Sequence, residues 1–424
     1  MTEMGCALPA AKLRHWANTK TGKDFIFFEK NIRHQYELDI LKIFGALGIV
    51  LFHYTFRGYA ADNMSILSFP FLGGVFRYGY LGIYLFFVLS GYTIVLSGSQ
   101  KQFKEFVLAR ALRLYPPFWC AVCITSLAIF IFRDPRYHIG LKQFLVNLTM
   151  FNEYVGVKSV DGVYWFLFVI IRFYFLVSIL ILTGAVKYNE IVAGNWLIIS
   201  IIIIYFNVPK IGFFLLPSYA PYFILGMISF SARNKGWNCY KRSILFISFL
   251  LSIYLIRFEI QRDNEHYNIV QSPEVVYFII ASIYLIMYWV GKNVKFLNLP
   301  RSIAICGAAT YPLYLIHQIF GFMIFNKFGF IINKYLLLVS TIFLMVVLSL
   351  VIILYIDPNI RKTITRVFKR QIAQHLYGLR LSRGKRPHRS ENIKFMNNSS
   401  VFDSRERSHK SKNRIRHDLL AKKS

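Results

Sequence analysis

Leu41–Phe56 reads LKIFGALGIVLFHYTF, an apolar run with a lysine at one end and a histidine near the other. A bilayer core about 30 Å thick takes roughly 20 mostly apolar residues per helix, and this stretch with its flanks is long enough. At about 100° per residue, eleven steps bring Lys42 and His53 to nearly the same helix face, about 16 Å apart along the axis. Lys42 has a plain explanation, because lysine snorkels to the headgroups. His53 lies deep in the run, where an ionisable group is costly unless it faces a polar cavity or a partner. A buried histidine satisfied by its own surroundings is the bland alternative.

Working outward, the same apolar character recurs. The 424 residues are 56% hydrophobic and 17% charged, with a mean hydropathy of +0.45, which excludes an ordinary soluble enzyme. Ten runs are expected to span, at about Leu38–Phe56, Gly79–Leu96, Tyr115–Phe132, Tyr164–Thr183, Asn195–Phe206, Tyr219–Phe230, Ile244–Ile256, Val275–Val290, Ile303–Phe325 and Leu336–Ile356. The fold class is therefore all-α, a polytopic transmembrane bundle of about ten helices. Residues 1–37 read as a cytoplasmic arm without a cleavable signal, residues 38–358 as the bundle, and residues 359–424 as a tail.

The formal net charge of +30 raises nucleic acid as a partner, but its distribution argues against one. From Arg361 to Lys423 nineteen Lys/Arg face four acidic residues, half the total excess in one polar segment. Such a tail is expected to be a disordered cytoplasmic segment held near anionic lipid. Basic residues also precede the first run and follow the second, sixth and eighth, which places both termini in the cytoplasm by the positive-inside rule. The loop between the third and fourth runs carries Arg133, Arg136, Lys142 and Lys158 and does not obey it. Cys120 and Cys123 have CxxC spacing inside an apolar helix with no further ligands nearby, so no metal site is expected. No internal repeat is evident, which weakens an inverted-repeat transporter.

A second constellation is VLARALRLYPPFW, Val107–Trp119. Arg110 and Arg113 are three apart and should point the same way on a helix, with Pro116 and Pro117 expected to open the third helix. Paired guanidinium groups at a membrane surface suit phosphate recognition; ordinary positive-inside anchoring is equally consistent with the spacing.

These features, in this order, resemble the membrane-bound acyltransferase-3 family of acyl-CoA-dependent O-acyltransferases. YELDILKIFGALGIVLFH is similar to its first helix, with Lys42 where arginine is commoner, ten intervening residues and His53. GYLGIYLFFVLSGY resembles the second-helix signature around Gly82, Phe86, Phe87, Ser90 and Gly91, with Tyr84 where many members are acidic. ARALRLYPPFW, VDGVYWFL with Asp161, Gly162 and Trp165, ATYPLYLIHQ with Tyr311, Tyr314 and His317, and YIDPNIRK with Asp357 and Pro358 follow in family order. One departure concerns the glutamate that many members carry after the tryptophan. Ile170 stands at that position, with Arg172 two residues on, so a base contributed there must come from elsewhere.

The resemblance implies acetyl-CoA, or another acyl-CoA, as donor, its phosphates held by Arg110, Arg113 and Lys42. It implies His53 as general base or transient acyl carrier, and a glycan or lipid-linked glycan as acceptor. Trp165, Tyr314 and His317 are the expected acceptor contacts, although Tyr314 serves core packing equally well and Trp165 sits where aromatic belts form. His317, fourteen residues in from Ile303, should lie at the depth of His53, fifteen in from Leu38. A bacterial inner membrane is the location implied. The competing reading is a polytopic transporter or lipid flippase, for which ten helices and a midplane histidine would also serve.

Overall fold

The computed structural model describes residues 35–60, 63–98, 101–293, 300 and 302–367. The N-terminal arm and most of the basic tail fall outside the described residues. Among those described there are helices and no strand, and ten segments are long and apolar enough to cross a membrane. These are α1 (Tyr36–Ala60), α2 (Pro70–Gly98), α3 (Phe103–Phe132), α4 (Gly162–Leu182), α5 (Ala185–Phe206), α6 (Pro209–Lys235), α7 (Cys239–Tyr267), α8 (Pro273–Gly291), α9 (Ser302–Phe328) and α10 (Lys334–Val367). With an even count, α1 begins and α10 ends on one side of the bundle, the near side; the other is the far side.

The ten expected runs are all present, but three readings of their limits need correction. Pro116 and Pro117 lie inside α3 rather than at its start. The helix begins at Phe103, where Gln102 and Glu105 form a capping box, and burial of Pro116, Pro117 and Phe118 holds the chain helical through the lost hydrogen bonds. The segment from Arg257 to Tyr267, beyond the expected end of the seventh run at Ile256, continues α7 as helix. Its charged side chains pair within one turn, as Arg262 does with Glu259. The fifth, sixth and seventh spans are accordingly longer than their apolar cores.

Two helices organise the packing. α9 lies against α1, α3 and α10, and α6 against α2, α5, α7 and α8, while the α1–α2 contact joins the two sets. Association inside a bilayer relies on close packing of small residues rather than on the hydrophobic effect, and the crossings show it. A Cβ on Gly82 of α2 would stand 2.5 Å from the Gly45 carbonyl of α1. One on Gly226 of α6 would stand 2.0 Å from the Val88 carbonyl of α2. Backbone meets backbone at both crossings, so neither glycine can be enlarged without parting the helices.

The far side is closed over α1 and α9 by residues 133–161. Tyr137 Oη donates to the Met64 carbonyl at 2.6 Å, and Asn326 Nδ2 of α9 donates to Asp134 Oδ2 at 2.7 Å and to the same Met64 carbonyl at 3.0 Å.

Candidate active site

His53 and His317 meet in the far half of the bundle. His53 comes seventeen residues after the start of α1, and His317 fifteen after the start of α9, so the common depth expected from the sequence holds. The rings are in contact, His317 Nε2 lying 3.2 Å from His53 Nδ1, with ring centroids 4.9 Å apart. Their exposures are 5% and 0%, which rules out a lipid-facing imidazole.

The carbonyls around the pair fix where the hydrogens sit. His317 Nδ1 is 2.8 Å from the Tyr314 carbonyl and 3.2 Å from that of Leu313. Carbonyls only accept, so this nitrogen carries the hydrogen and His317 Nε2 is bare. His53 Nδ1 faces two acceptors, the Ile49 carbonyl at 2.8 Å and His317 Nε2, and must be the protonated nitrogen of its ring. His53 Nε2 is then left with a lone pair, buried and without a hydrogen-bond partner. Among the described residues no group of the protein answers that lone pair.

Local backbone chemistry positions this histidine. His53–Arg57 forms a π-turn within α1, closed by the Gly58 N–H to the His53 carbonyl. The His53 ring and Thr55 Oγ1 both bond back to carbonyls four residues earlier, the latter to Leu51 at 2.7 Å. Such back-bonding competes with the backbone ladder, and a one-residue widening of the turn relieves the competition.

α9 is held in register from two sides, by α1 and by the segment 161–163. Tyr54 Oη donates to the His317 carbonyl at 2.6 Å. Tyr314 Oη donates to the Val163 carbonyl at 2.7 Å. Asp161, fully buried, accepts from the Ile319 N–H at 3.0 Å and the Val163 N–H at 3.2 Å. Burial pushes the Asp161 carboxyl up to about 6 against the pull of those amides and of Arg57, leaving it mostly ionised near neutrality. The segment 161–163 thus clamps α9 on either side of His317.

The other expected site residues are distributed as follows. Lys42 Nζ pairs with Asp39 at 2.8 Å, a carboxylate buried beneath Gly307 of α9. The arginines of α3 part company. Arg110 is buried, donates to Ser97 Oγ and lies over the rings of Phe106 and Tyr174 at 5.3 and 5.4 Å, which ties α3 to α2 and α4. Arg113 is exposed. Trp165 is half-exposed and its ring lies 6.2 Å from that of Tyr219. Tyr219 lines a cleft of about 710 Å³ with Tyr84, Tyr222, Arg172 and Glu259. Tyr314 is buried, with its hydroxyl engaged as above. Ile170 is buried as well, and Arg172 donates to the Phe213 carbonyl at 2.9 Å, so neither supplies a carboxylate there. Among the described residues no group of His, Cys, Asp and Glu could hold a metal ion.

Sequence reasoning passed over Tyr54, Arg57 and the π-turn, and quoted Asp161 only as part of a motif. A charged residue four positions past His53 was the available signal for Arg57.

A family model described as an acyltransferase domain matches residues 35–357. No curated protein and no solved structure matches the chain.

Proposed function

The chain belongs to the acyltransferase-3 family, and on that premise we propose that it moves an acetyl or other small acyl group from acyl-CoA to a hydroxyl of a cell-envelope or extracellular glycan. The observation that carries this reading is the bare, buried Nε2 of His53, held in its tautomer by His317. A lone pair in that setting takes the proton of an acceptor hydroxyl as its oxygen attacks the thioester carbonyl. The carbon–sulfur bond then breaks, and the departing thiolate takes the proton back from Nε2. While His53 holds the extra proton, its Nδ1–H strengthens its bond to His317 Nε2 and the Ile49 carbonyl, which spreads the positive charge.

The donor approaches from the near side, where Arg113 is exposed and Lys42 and Arg110 lie in the same half of the bundle. Arg113 makes the direct phosphate contact, Lys42 and Arg110 completing a cationic rim already partly committed to Asp39 and Ser97. The acceptor approaches from the far side past Trp165 and the tyrosine-lined cleft. Glycan modification of this kind fits a bacterial inner membrane.

The test is incubation of the purified protein in detergent with radiolabelled acetyl-CoA and candidate glycans. His53→Ala abolishes transfer while the protein remains folded, and full transfer in that variant would sink the mechanism. Arg113→Ala weakens acetyl-CoA binding about tenfold, the worth of a charge-assisted hydrogen bond. Stoichiometric CoA release without acceptor would instead assign an acyl-imidazole on His53.

A further inference from the structure

Arg57 closes the π-turn that His53 opens. Residues four apart share a helix face, so its side chain leaves α1 on the side of the His53 ring. It is half-buried, and its Nε is fully buried without a hydrogen-bond partner. Among the described residues its guanidinium makes no hydrogen bond or ion pair. Other arginines in the bundle are engaged: Arg110 with Ser97, Arg172 with the Phe213 carbonyl and Arg262 with Glu259.

The charge of Arg57 acts on His53, Tyr314, Asp161 and Asp263. These belong to α1, α9, the clamp before α4, and α7, so the guanidinium sits where four parts of the bundle converge beside the histidine pair. Neither nearby carboxylate answers it at ion-pair distance. Asp161 is committed to two amides, and Asp263 lies 3.9 Å from Arg262. A guanidinium held among apolar helices without a partner is costly. Such a group is suited to an anion that exists only during the reaction.

We propose that Arg57 is a catalytic residue, donating N–H hydrogen bonds to the oxyanion that forms on the acyl carbonyl while His53 deprotonates the attacking hydroxyl. The inference rests on the acyl-transfer reading above. As the new carbon–oxygen bond forms, the acceptor proton passes to His53 Nε2 and the carbonyl π electrons pass to the carbonyl oxygen. Arg57 stabilises that oxygen without giving up a proton. Collapse restores the double bond and breaks the carbon–sulfur bond, and the sulfur leaves with the proton from Nε2. Donors set in advance toward developing charge, in a site that excludes water, are commonly the largest single contribution to catalysis.

The experiment measures CoA-thiol release from acetyl-CoA by the full chain in detergent, with methyl glucoside as the hydroxyl probe. Arg57→Gln is expected to lower kcat about 10²- to 10³-fold, the usual loss for one oxyanion donor, with KM for acetyl-CoA changed less than about twofold. Arg57→Gly, with space vacated, is expected to regain rate as guanidinium ion is added at millimolar concentration, a response that a purely structural role does not give. Full kcat in Arg57→Gln, or a raised KM at unchanged kcat, would overturn the inference alone. So would a slow Arg57→Gly that guanidinium fails to accelerate. A silent wild type would overturn the acyl-transfer reading and this inference with it.

Discussion

Replacing His317 separates two contributions that a single His53 substitution merges. His317 Nε2 accepts from His53 Nδ1, so on the acyl-transfer reading its expected service is to fix a tautomer and share a charge rather than to touch the reacting atoms. His317→Ala removes that acceptor and is expected to lower kcat about 10²-fold, within the range of acid–base contributions. His317→Gln can present an amide oxygen to the same N–H and should retain far more of the rate, less than about tenfold below wild type. Equal losses in the two variants, measured as kcat at saturating acetyl-CoA, would show that the acceptor role is wrong. The two histidines and their depths were legible in the sequence because ionisable groups stand out in apolar runs. Their contact was not, since helical spacing gives height within the bundle but not azimuth. Arg57 was passed over for a related reason: the first apolar run ends at Phe56, and the next charge reads as the edge of the membrane. The partner of Lys42 lay in plain view, as Asp39 is three residues earlier and on the same face.

Helix boundaries depend on the balance between local signals, burial and pairing of side chains along the helix. Apolar runs found all ten spans, whereas Pro116–Pro117 misled because burial keeps that stretch helical, and the charged end of α7 because its mostly exposed side chains pair within the helix. The π-turn had no sequence signature; it follows from side chains bonding back to carbonyls that only a formed helix supplies. The register of α1 on α9, which sets the histidine contact, rests on a small residue. Gly321 lies where a Cβ would meet Tyr54 Oη at 2.2 Å and its Cζ at 2.4 Å. Tyr54 cannot swing aside easily, because its ring packs edge-on against Phe325 at 5.0 Å and its hydroxyl holds the His317 carbonyl. Gly321→Ala should gain about 1 kcal/mol of helix propensity but meet an overpacking penalty of about 1–3 kcal/mol. The expected outcome is a lower melting temperature together with a loss of kcat. Gly140→Ala, where no atom lies within 4 Å of the added methyl, is the control. An unchanged kcat in Gly321→Ala would mean that the Tyr54 hydrogen bond does not govern the histidine contact.

At the scale of the whole molecule the site divides the bundle by side. Cationic residues of α1 and α3 lie in the near half, the histidine pair and Arg57 in the far half, and the cleft that Tyr219 lines opens in the far half among α2, α4, α5, α6 and α7. A phosphate-bearing donor cannot cross hydrocarbon, but a long neutral arm can pass along a helix bundle, and the acyl carbon need travel only about 16 Å, eleven residues of helix rise. Donor and acceptor are therefore expected to be supplied from opposite sides. The chain carries its own reporter of sidedness: Cys239 opens α7 at the near side and is exposed. In proteoliposomes a membrane-impermeant maleimide identifies the side on which Cys239 reacts. Transfer should occur only when acetyl-CoA is present on that side, and the acylated glycan should accumulate on the other. Turnover with acetyl-CoA confined to the side opposite Cys239 would reverse the assignment of donor and acceptor mouths. Turnover with donor and glycan both confined to the Cys239 side would show that the far-side cleft has no part in acceptor delivery.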